Sequence, residues 1–232
     1  MNYAVSDLHG CYDKFMRLLE KIRFNEEDTL YVLGDIVDRG FDNVRLISAL
    51  AGKRNICTLM GNHDYMAALM LNTYGMGGKT AGVSLRGKPE ATAVFDAWLS
   101  DGGETTWNEF KQLDPSEKEV VLRFLESRPL FVETEINEQC FHFSHTVPSK
   151  NEMLKTDRRS VSDFLFAAPE YDKVYFPDKI LVTGHTPTGL IDPSFTGRIW
   201  KGNNHIAIDC GAVFGNPLGC ICLETGEEYY AG

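Results

Sequence analysis

The sequence predicts an α/β fold built as a four-layer sandwich, in which two mixed β-sheets face each other and helices cover their outer faces. Three observations support this prediction. Short β-rich runs alternate with helical segments in the first part of the chain, as in βαβ units. In the later part the strands come mostly as hairpins. Polar and charged side chains follow several strands directly, which is typical of a ligand site at strand ends.

Length and composition indicate one domain covering residues 1–232, with 43% hydrophobic and 24% charged residues. No apolar run approaches the roughly 18 residues of a membrane span. The net charge of −10 argues against a nucleic-acid surface. Because the chain enters a strand at once and its six cysteines form no Cys-x-x-Cys pair, we expect a cytoplasmic protein with reduced thiols and no signal peptide. The sequence leaves the oligomeric state open.

The first third of the chain alternates strands and helices. The strands are predicted at residues 3–6, 29–33 and 56–60, and the helices at 12–22, 44–50 and 65–71. Each strand run is apolar and rich in β-branched or aromatic residues, and each helical run places its apolar residues at helical spacing. These segments form a right-handed βαβ arrangement.

Residues 75–127 are predicted to form a mostly helical insert beside the site. A glycine-rich loop at 75–87 comes first, followed by short helices at 91–99 and 105–113. Asp114 precedes Pro115, which is the pattern of a helix cap followed by the first helical residue, so a third helix should run to about residue 127. The insert interrupts the strand rhythm and therefore flanks the sheets.

The last part of the chain returns to strands. A hairpin is predicted from residues 130–134 and 140–144, followed by a polar surface loop at 150–161. Further strands are expected at 179–183 and 205–209, and a final hairpin pairs 219–223 with 227–230.

Six side chains at or just past predicted strand ends could bind metal: Asp7, His9, Asp35, Asn62, His145 and His185. Carboxylate, amide oxygen and imidazole together suit hard and borderline divalent ions. Six ligands exceed the need of one ion that also binds water, so two ions sharing a carboxylate are predicted. Each residue alone would be an ordinary turn, cap or core residue; their number and order favour a dinuclear site.

The motifs resemble the five blocks of the calcineurin-like metallophosphoesterases, and more narrowly the phosphoprotein phosphatase branch. They are D-x-H-G at 7–10, G-D-x-x-D-R-G at 34–40, G-N-H-D at 61–64, the lone His145, and G-H-T-P at 184–187. The resemblance covers nearly the whole chain. It implies a hydrolase that acts on phosphoserine or phosphothreonine through a hydroxide held between two metal ions, attacking phosphorus in line.

The resemblance also assigns the ligands. Asp7 and His9 would bind the first ion, and Asp35 would bridge both. The second ion would take Asn62, His145 and His185. The wider superfamily has a further histidine ligand where this chain has a proline at 187, so the first ion keeps three protein ligands. Mn²⁺ is the expected metal, with Fe²⁺ or Zn²⁺ as alternatives.

Three further residues receive catalytic roles from the resemblance. His63 would protonate the leaving oxygen, Asp38 would orient His63, and Arg39 would hold two phosphate oxygens through its planar fork. Two histidines outside the motifs, His142 and His205, are predicted to be structural.

One departure affects the substrate. The family has a Trp-x-Arg after the fourth block, and its arginine is a second phosphate clamp. Phe166 and Ala168 stand at these positions here. Arg158, Arg159 or Arg86 could substitute, or the open position could admit a bulkier or less charged substrate.

Two alternatives to a phosphoprotein phosphatase therefore remain open. One is hydrolysis of a dinucleoside polyphosphate or a phosphodiester by the same fold. The other is a metal-binding pseudoenzyme that recognises a phosphorylated partner. Either way, the expected partner is a phosphorylated protein or a small phosphoester, with no nucleic acid and no membrane. Asp209 also resembles a family position, and we expect it to be structural or to support a ligand.

Overall fold

Two mixed five-stranded sheets form the centre of the computed structural model, which describes residues 1–78, 85, 88, 90–153 and 160–232. The strands are β1 (Asn2–Val5), β2 (Thr29–Val32), β3 (Ile56–Thr58), β4 (Phe131–Ile136), β5 (Gln139–Ser144), β6 (Lys179–Thr183), β7 (Trp200–Gly202), β8 (His205–Ala207), β9 (Leu218–Cys222) and β10 (Glu228–Ala231). The first sheet has the order β10-β9-β1-β2-β3 and the second the order β4-β5-β6-β8-β7.

The first sheet is parallel at one end and antiparallel at the other, whereas the second has a parallel centre and two antiparallel edges. In the first, β1 pairs in parallel with β2, and β2 with β3, while β9 and β10 complete the sheet as an antiparallel hairpin. In the second, β5, β6 and β8 are parallel, with β4 and β7 antiparallel at the edges. The carboxyl ends of parallel strands meet at one edge, which is where the motif residues lie.

Helices lie between and after the strands, and the six helices up to residue 126 come in the predicted order, whereas the later three were not predicted. They are α1 (Tyr12–Lys21), α2 (Asn43–Leu50), α3 (Asn62–Met70), α4 (Ala91–Trp98), α5 (Glu104–Gln112), α6 (Pro115–Glu126), α7 (Lys150–Met153), α8 (Val161–Leu165) and α9 (Thr188–Ile191). One π-turn, Leu71–Gly75, extends α3, and another, Leu99–Gly103, joins α4 to α5.

The central strands are buried on both faces. Along β1, Val5 packs toward the helices while Ala4 packs toward the second sheet, and β2 repeats the alternation. Between the sheets, the rings of Tyr31 and Phe143 stack with their centroids 4.4 Å apart. On the outer face of the second sheet, Leu181 packs with residues that include Met153 of α7 and Phe164 of α8. Helices, two sheets and an outer helical layer make up the predicted four-layer sandwich.

Several elements differ from the sequence prediction, and the differences have local causes. Helix α3 begins at Asn62, three residues before the predicted start, because Asp64 in its first turn caps the helix. The predicted loop at 150–161 is wrong at both ends, where α7 and α8 form, the latter behind a capping box of Ser160 and Asp163. Strand β7 was not predicted because its three residues carry too short a pattern.

All six cysteines are free thiols, as expected. Within the described ranges, no helix combines the length and apolarity needed to cross a membrane. The predicted loop at 75–87 lies largely outside the described residues.

Candidate active site

The predicted ligands come from the carboxyl ends of five strands. Asp7 follows β1, Asp35 follows β2, Asn62 opens the helix after β3, His145 follows β5, and His185 follows β6. Strands of both sheets therefore contribute to one site, and residues up to 178 positions apart meet: the backbone N–H of His185 donates to the Asp7 carboxylate at 3.0 Å.

The backbone at this site is held in an unusual conformation. Eleven non-glycine residues of the described chain have positive φ, and six of them are predicted site residues: Asp7, His9, Asp35, Asp38, Arg39 and His185. Positive φ is sterically unfavourable for residues with a Cβ, at about 1–3 kcal/mol each, and persists where the surroundings enforce it. Such strain concentrates at functional sites, and here it aims side chains from separate loops at one place.

Two glycines allow the loops to approach each other. A Cβ on Gly184 would overlap the Ser6 hydroxyl and the Asp7 carboxylate, and a Cβ on Gly61 would overlap Asp35. The glycines of the G-H-T-P and G-N-H-D motifs are thus required by backbone packing against the site's carboxylates.

The six predicted ligands together are called the ligand cluster, and five of them, all except Asp7, come together at the shared Asp35 carboxylate. Among the described residues, two groups of donor atoms lie within 4.8 Å of one another: His9, Asp35 and His63, and Asp35, His145 and His185. Asp35 Oδ2 is 3.5 Å from Nε2 of His9 and 3.5 Å from Nε2 of His145. A carboxylate shared by two groups is the arrangement that a bridging ligand requires.

Asn62 joins the second group. Its Oδ1 lies 2.9 Å from His145 Nε2 and 3.0 Å from His185 Nδ1, and these two ring nitrogens are 3.2 Å apart. Asp7 lies outside both groups of donor atoms in the described chain, although it belongs to the predicted ligand cluster. Its carboxylate accepts hydrogen bonds from the Ser6 hydroxyl and the His185 backbone.

The histidines are oriented for metal binding. His9 Nδ1 is 2.8 Å from the Val37 carbonyl, and His145 Nδ1 is 2.8 Å from the Leu33 carbonyl. Since a carbonyl only accepts, Nδ1 carries the proton in each ring, and the Nε2 lone pair points toward Asp35. A hydrogen bond from the other ring nitrogen to a carbonyl is the usual support of a metal-binding histidine.

The protonation preferences of the histidines agree with this role. Burial, together with the neighbouring His63 and Arg39, lowers the pKa of His9 well below its ordinary value. Burial and His185 do the same for the pKa of His145. The pKa of His185 is lowered to about 4, chiefly by burial. The three imidazoles are therefore neutral at pH 7, the form that binds metal.

Positive charges of the described residues do not fully compensate the buried carboxylates of Asp35 and Asp7. Burial raises the pKa of Asp35, with a further contribution from Asp64. Burial also raises the pKa of Asp7, and the carboxylates of Asp209 and Asp35 add to the shift. A divalent cation would remove this penalty. Neutral, oriented imidazoles and buried carboxylates whose negative charge is not compensated form a donor set that fits divalent ions.

Asp38 and His63, which we call the acid pair, lie beside the ligand cluster. His63 Nδ1 is 2.9 Å from Asp38 Oδ2, and both side chains are buried. The His63 backbone N–H donates to Asp35 Oδ1 at 2.9 Å, which ties the acid pair to the shared carboxylate. With Nδ1 directed at Asp38, the Nε2 atom of His63 is the one available for proton transfer.

The helical insert holds Asp38 in place. Trp98 Nε1 donates to Asp38 Oδ2 at 2.7 Å, and the Thr106 hydroxyl donates to Asp38 Oδ1 at 2.6 Å. The Asp38 backbone N–H also donates to the Thr106 hydroxyl at 2.9 Å. Asp38 is fully buried, so these bonds keep the carboxylate in one orientation.

Arg39 reaches the ligand cluster from the same loop. Its NH1 lies 2.9 Å from His9 Nε2, and its NH2 lies 3.4 Å from Asp101 Oδ1 in the insert. The guanidinium carbon is 5.4 Å from the ring centroid of Phe214, whose side chain is 63% exposed. An arginine and an exposed aromatic ring thus stand together beside the acid pair.

Ala168 is exposed on the segment after α8, and the neighbouring Ala167 carbonyl accepts a hydrogen bond from the Thr146 hydroxyl at 2.8 Å. Thr146 follows the predicted ligand His145, so this segment lies beside the site with no cationic side chain at position 168. Phe166 is 47% exposed and meets Tyr65 edge to face. The proposed substitutes Arg86, Arg158 and Arg159 lie outside the described residues.

The sequence reasoning missed four residues of the site. Asp64 accepts hydrogen bonds from the backbones of Gly61 and Ile36 and so joins two motif loops. Its place at the third position of a helix is a capping signal that could have revealed it. The other three, Trp98, Asp101 and Thr106, lie about sixty residues from their partners, and no local pattern marks them.

The remaining polar residues of interest have structural roles. His142 bonds to Glu133 at 2.9 Å, and His205 to the Thr183 hydroxyl at 2.8 Å, both away from the ligand cluster. Asp209 is buried, accepts from the Gly211 backbone at 2.8 Å, and has a pKa raised to about 6 by burial.

Comparison with known proteins defines the class. A model of the calcineurin-like phosphoesterase family matches residues 3–207, which is most of the chain. The chain therefore belongs to the calcineurin-like phosphoesterase family, and its class is metallophosphoesterase. This finding confirms the family predicted from the motifs.

Curated relatives match over a shorter segment. A symmetrical bis(5'-nucleosyl)-tetraphosphatase from Mannheimia succiniciproducens is 47% identical over 66 residues, which is 27% of this chain and 23% of that protein. The enzyme of the same name from Buchnera aphidicola (subsp. Acyrthosiphon pisum, strain 5A) is 44% identical over 64 residues, with the same coverage. The matched segment thus spans less than a quarter of these relatives.

Solved structures share the fold over the whole chain. A candidate diadenosine tetraphosphatase superposes with a TM-score of 0.65 at 15% identity, covering 99% of this chain and 92% of that one. A serine/threonine phosphatase from Saccharomyces cerevisiae with similarity to human PP5 has a TM-score of 0.60 at 15% identity, covering 99% and 79%. At this identity the likeness concerns the fold alone.

Proposed function

We propose that the protein is a metal-dependent phosphoesterase that hydrolyses a dinucleoside polyphosphate. The observation that carries the reaction class is the acid pair held against the shared carboxylate: His63 is bonded to Asp38 through its side chain and to Asp35 through its backbone. This arrangement supports a proton donor beside a site for divalent ions, which is what cleavage of a phosphoester or phosphoanhydride needs.

Two ions would be held by the ligand cluster, with Asp35 shared between them. When bound, divalent ions acidify water and neutralise charge that develops on the phosphate. Oxygen ligands from Asp7, Asp35 and Asn62 favour Mn²⁺ or Fe²⁺, while the imidazoles also suit Zn²⁺. Mn²⁺ is our proposed metal.

The remaining steps belong to side chains of the chain itself. Arg39 would bind two phosphate oxygens through its fork and orient the phosphorus. His63 would give its Nε2 proton to the oxygen of the departing group, while Asp38 holds the Nδ1 proton. The hydrogen bonds from Trp98 and Thr106 keep Asp38 in the orientation that this role requires.

Three observations favour a dinucleoside polyphosphate over the phosphoprotein substrate that the sequence motifs suggested. The curated relatives are symmetrical bis(5'-nucleosyl)-tetraphosphatases. Ala168 stands where the phosphoprotein phosphatases have their second clamp, so among the described residues this position offers no cation to a terminal phosphate dianion. Beside Arg39, the exposed Phe214 offers a surface on which a nucleobase can stack.

Hydrogen bonds from Lys14 hold the turn that carries Phe214. Lys14 Nζ donates to the carbonyls of Ala212 at 2.9 Å and Asn216 at 2.6 Å, which flank the turn that carries Phe214.

Stacking of one base contributes about 1–3 kcal/mol, so Phe214→Ala should raise KM for diadenosine tetraphosphate at least fivefold. Hydrolysis of 2-glycerophosphate, which has no ring, should not change. Phe131→Ala, which removes an exposed ring from the outer layer, is the matched control.

The second candidate is a serine/threonine phosphoprotein phosphatase, supported by the motif order and by the proline at position 187. A pseudoenzyme that binds a phosphorylated partner is the third. Steady-state turnover with added Mn²⁺ separates them, using diadenosine tetraphosphate, a phosphoserine and phosphothreonine peptide panel, and p-nitrophenyl phosphate. We expect the dinucleotide to have the highest kcat/KM, with ADP as the product if cleavage is symmetrical. A higher value for any phosphopeptide favours the second candidate, and no turnover of any substrate favours the third.

A further inference from the structure

Asp101 lies at the mouth of the site, on the turn that joins α4 to α5. The adjacent Gly102 has φ of 101°, and its carbonyl accepts a hydrogen bond from the Arg39 backbone at 2.9 Å. The turn is therefore anchored to the loop that carries Arg39 and the acid pair. The Asp101 side chain itself is 57% exposed, so it reaches into the open part of the site.

The two oxygens of this carboxylate face the two groups that the proposed reaction assigns to the substrate. Oδ1 lies 3.4 Å from Arg39 NH2, the proposed phosphate clamp. Oδ2 lies 3.7 Å from His63 Nε2, the proposed proton donor. An anionic group with one oxygen toward each of these residues stands where a phosphate oxygen and a leaving oxygen would be placed.

We propose that Asp101 is a specificity-determining residue that acts as a built-in competitor for phosphate. Its carboxylate neutralises Arg39 and repels a second anion, and the repulsion grows with the charge on the phosphate that enters. Terminal phosphate monoesters carry close to two charges at pH 7, whereas phosphodiesters and internal phosphates of a polyphosphate carry one per phosphorus. Asp101 therefore disfavours terminal monoesters and product phosphate relative to the other two classes.

This inference rests on the roles proposed for Arg39 and His63 and deepens the proposed function by naming the charge state that the site selects. It also agrees with the alanine at position 168. Without a second arginine, the one contacting arginine of the described site is shared with Asp101, which lowers its attraction for a dianion further. Both features shift the preference in the same direction.

A structural role for Asp101 makes the opposite prediction. If its carboxylate served to hold Arg39 and His63 in place, its removal would loosen both side chains and weaken the binding of every substrate. If it competes with phosphate, its removal strengthens binding of dianions. The sign of the change in KM and in phosphate affinity therefore separates the two.

The test uses Asp101→Asn and Asp101→Ser in the full chain loaded with Mn²⁺. Asp96→Asn is the matched control, because Asp96 is exposed on α4 of the same insert and the substitution changes the charge by the same amount. We would measure the dissociation constant of inorganic phosphate by calorimetry. Kinetic constants would be measured for p-nitrophenyl phosphate, bis(p-nitrophenyl) phosphate and diadenosine tetraphosphate.

Both Asp101 variants should bind inorganic phosphate about tenfold more tightly and lower KM for the monoester by a similar factor. The KM for the diester should change less than threefold, and Asp96→Asn should resemble the wild type. A phosphate dissociation constant within twofold of the wild-type value in both variants would overturn the proposal. So would a fall in kcat on all substrates without a decrease in KM, which is the result of a positioning role.

Failure of the proposed function can be told apart from failure of this inference. Phosphate binding does not depend on which substrate is physiological, so the Asp101 effect remains measurable even if diadenosine tetraphosphate is not hydrolysed. Conversely, if the dinucleotide is hydrolysed well and phosphate affinity does not respond to Asp101, the proposed function stands and the competitor role fails.

Discussion

The strand ends and the helical insert contribute to the same site in different ways. The strand ends supply the ligand cluster, whose members follow β1, β2, β3, β5 and β6 and hold their orientation through backbone carbonyls such as those of Leu33 and Val37. The insert supplies no predicted ligand. Its side chains instead contact the acid pair and Arg39, through Trp98, Thr106 and Asp101.

We infer from this difference that the two regions have separate roles. On the proposed roles, the sheets determine where divalent ions bind, while the insert determines how Asp38 orients His63 and what charge lies beside Arg39. Changes in the strand ends should therefore affect metal content, whereas changes in the insert should affect turnover or selectivity with the metal retained.

The largest effect is expected at the shared carboxylate. Asp35→Asn should reduce bound Mn²⁺ from about two ions per chain to less than one, because one charge serves both groups of ligands. Losing the ions removes several kcal/mol of rate enhancement, so turnover should fall on the order of 10³–10⁵-fold. Elemental analysis and turnover on the same samples check this. A wild-type protein that holds no ion after dialysis against excess Mn²⁺ would show that the ligand assignment is wrong.

A smaller effect is expected in the insert. Trp98→Phe removes one hydrogen bond to the buried Asp38 carboxylate, which is worth about 1.5–3 kcal/mol, so turnover should fall roughly ten- to a hundredfold. Metal content should stay at the wild-type level. Trp107→Phe is the control, since Trp107 packs against Phe95 in the same insert, while the hydrogen bonds from the described insert side chains to Asp38 come from Trp98 and Thr106. A loss of metal in Trp98→Phe alone would contradict the division between the two regions.

The smallest effect concerns a buried histidine outside both regions. Burial lowers the pKa of His205 to about 3, so the folded protein keeps it neutral while the unfolded chain protonates it near pH 6.5. The unfolded state then binds more protons between these values, and stability falls as the pH decreases through this window. Protonation of His205 in the unfolded chain should lower the free energy of unfolding by about 1 kcal/mol as the pH falls from 6 to 5. Urea unfolding at both values should show a shallower fall in His205→Gln, and an equal fall would argue against a neutral buried His205.

The same contrast explains how much the sequence could predict. The convergence of Asp35 and His145 could be predicted because each follows a recognisable strand, and strand ends converge by topology. Trp98 and Thr106 were not, because their contacts with Asp38 depend on how the insert folds back, which no local pattern reports. The helix start at Asn62 was missed for a local reason. Its capping residue, Asp64, lies inside the G-N-H-D motif, before the helical spacing of apolar residues begins.

The central claim is that a proton donor held by the insert acts beside a metal site held by the strand ends, and His63→Asn tests it most directly. The variant should keep about two ions per chain, while hydrolysis of substrates with alkyl leaving groups falls about 10²–10⁴-fold. Aryl phosphates should lose much less, since their leaving group departs without a proton. His142→Asn, in a buried histidine outside the site, controls for loss of an imidazole. Equal losses on alkyl and aryl substrates, or loss of the metal, would contradict the account.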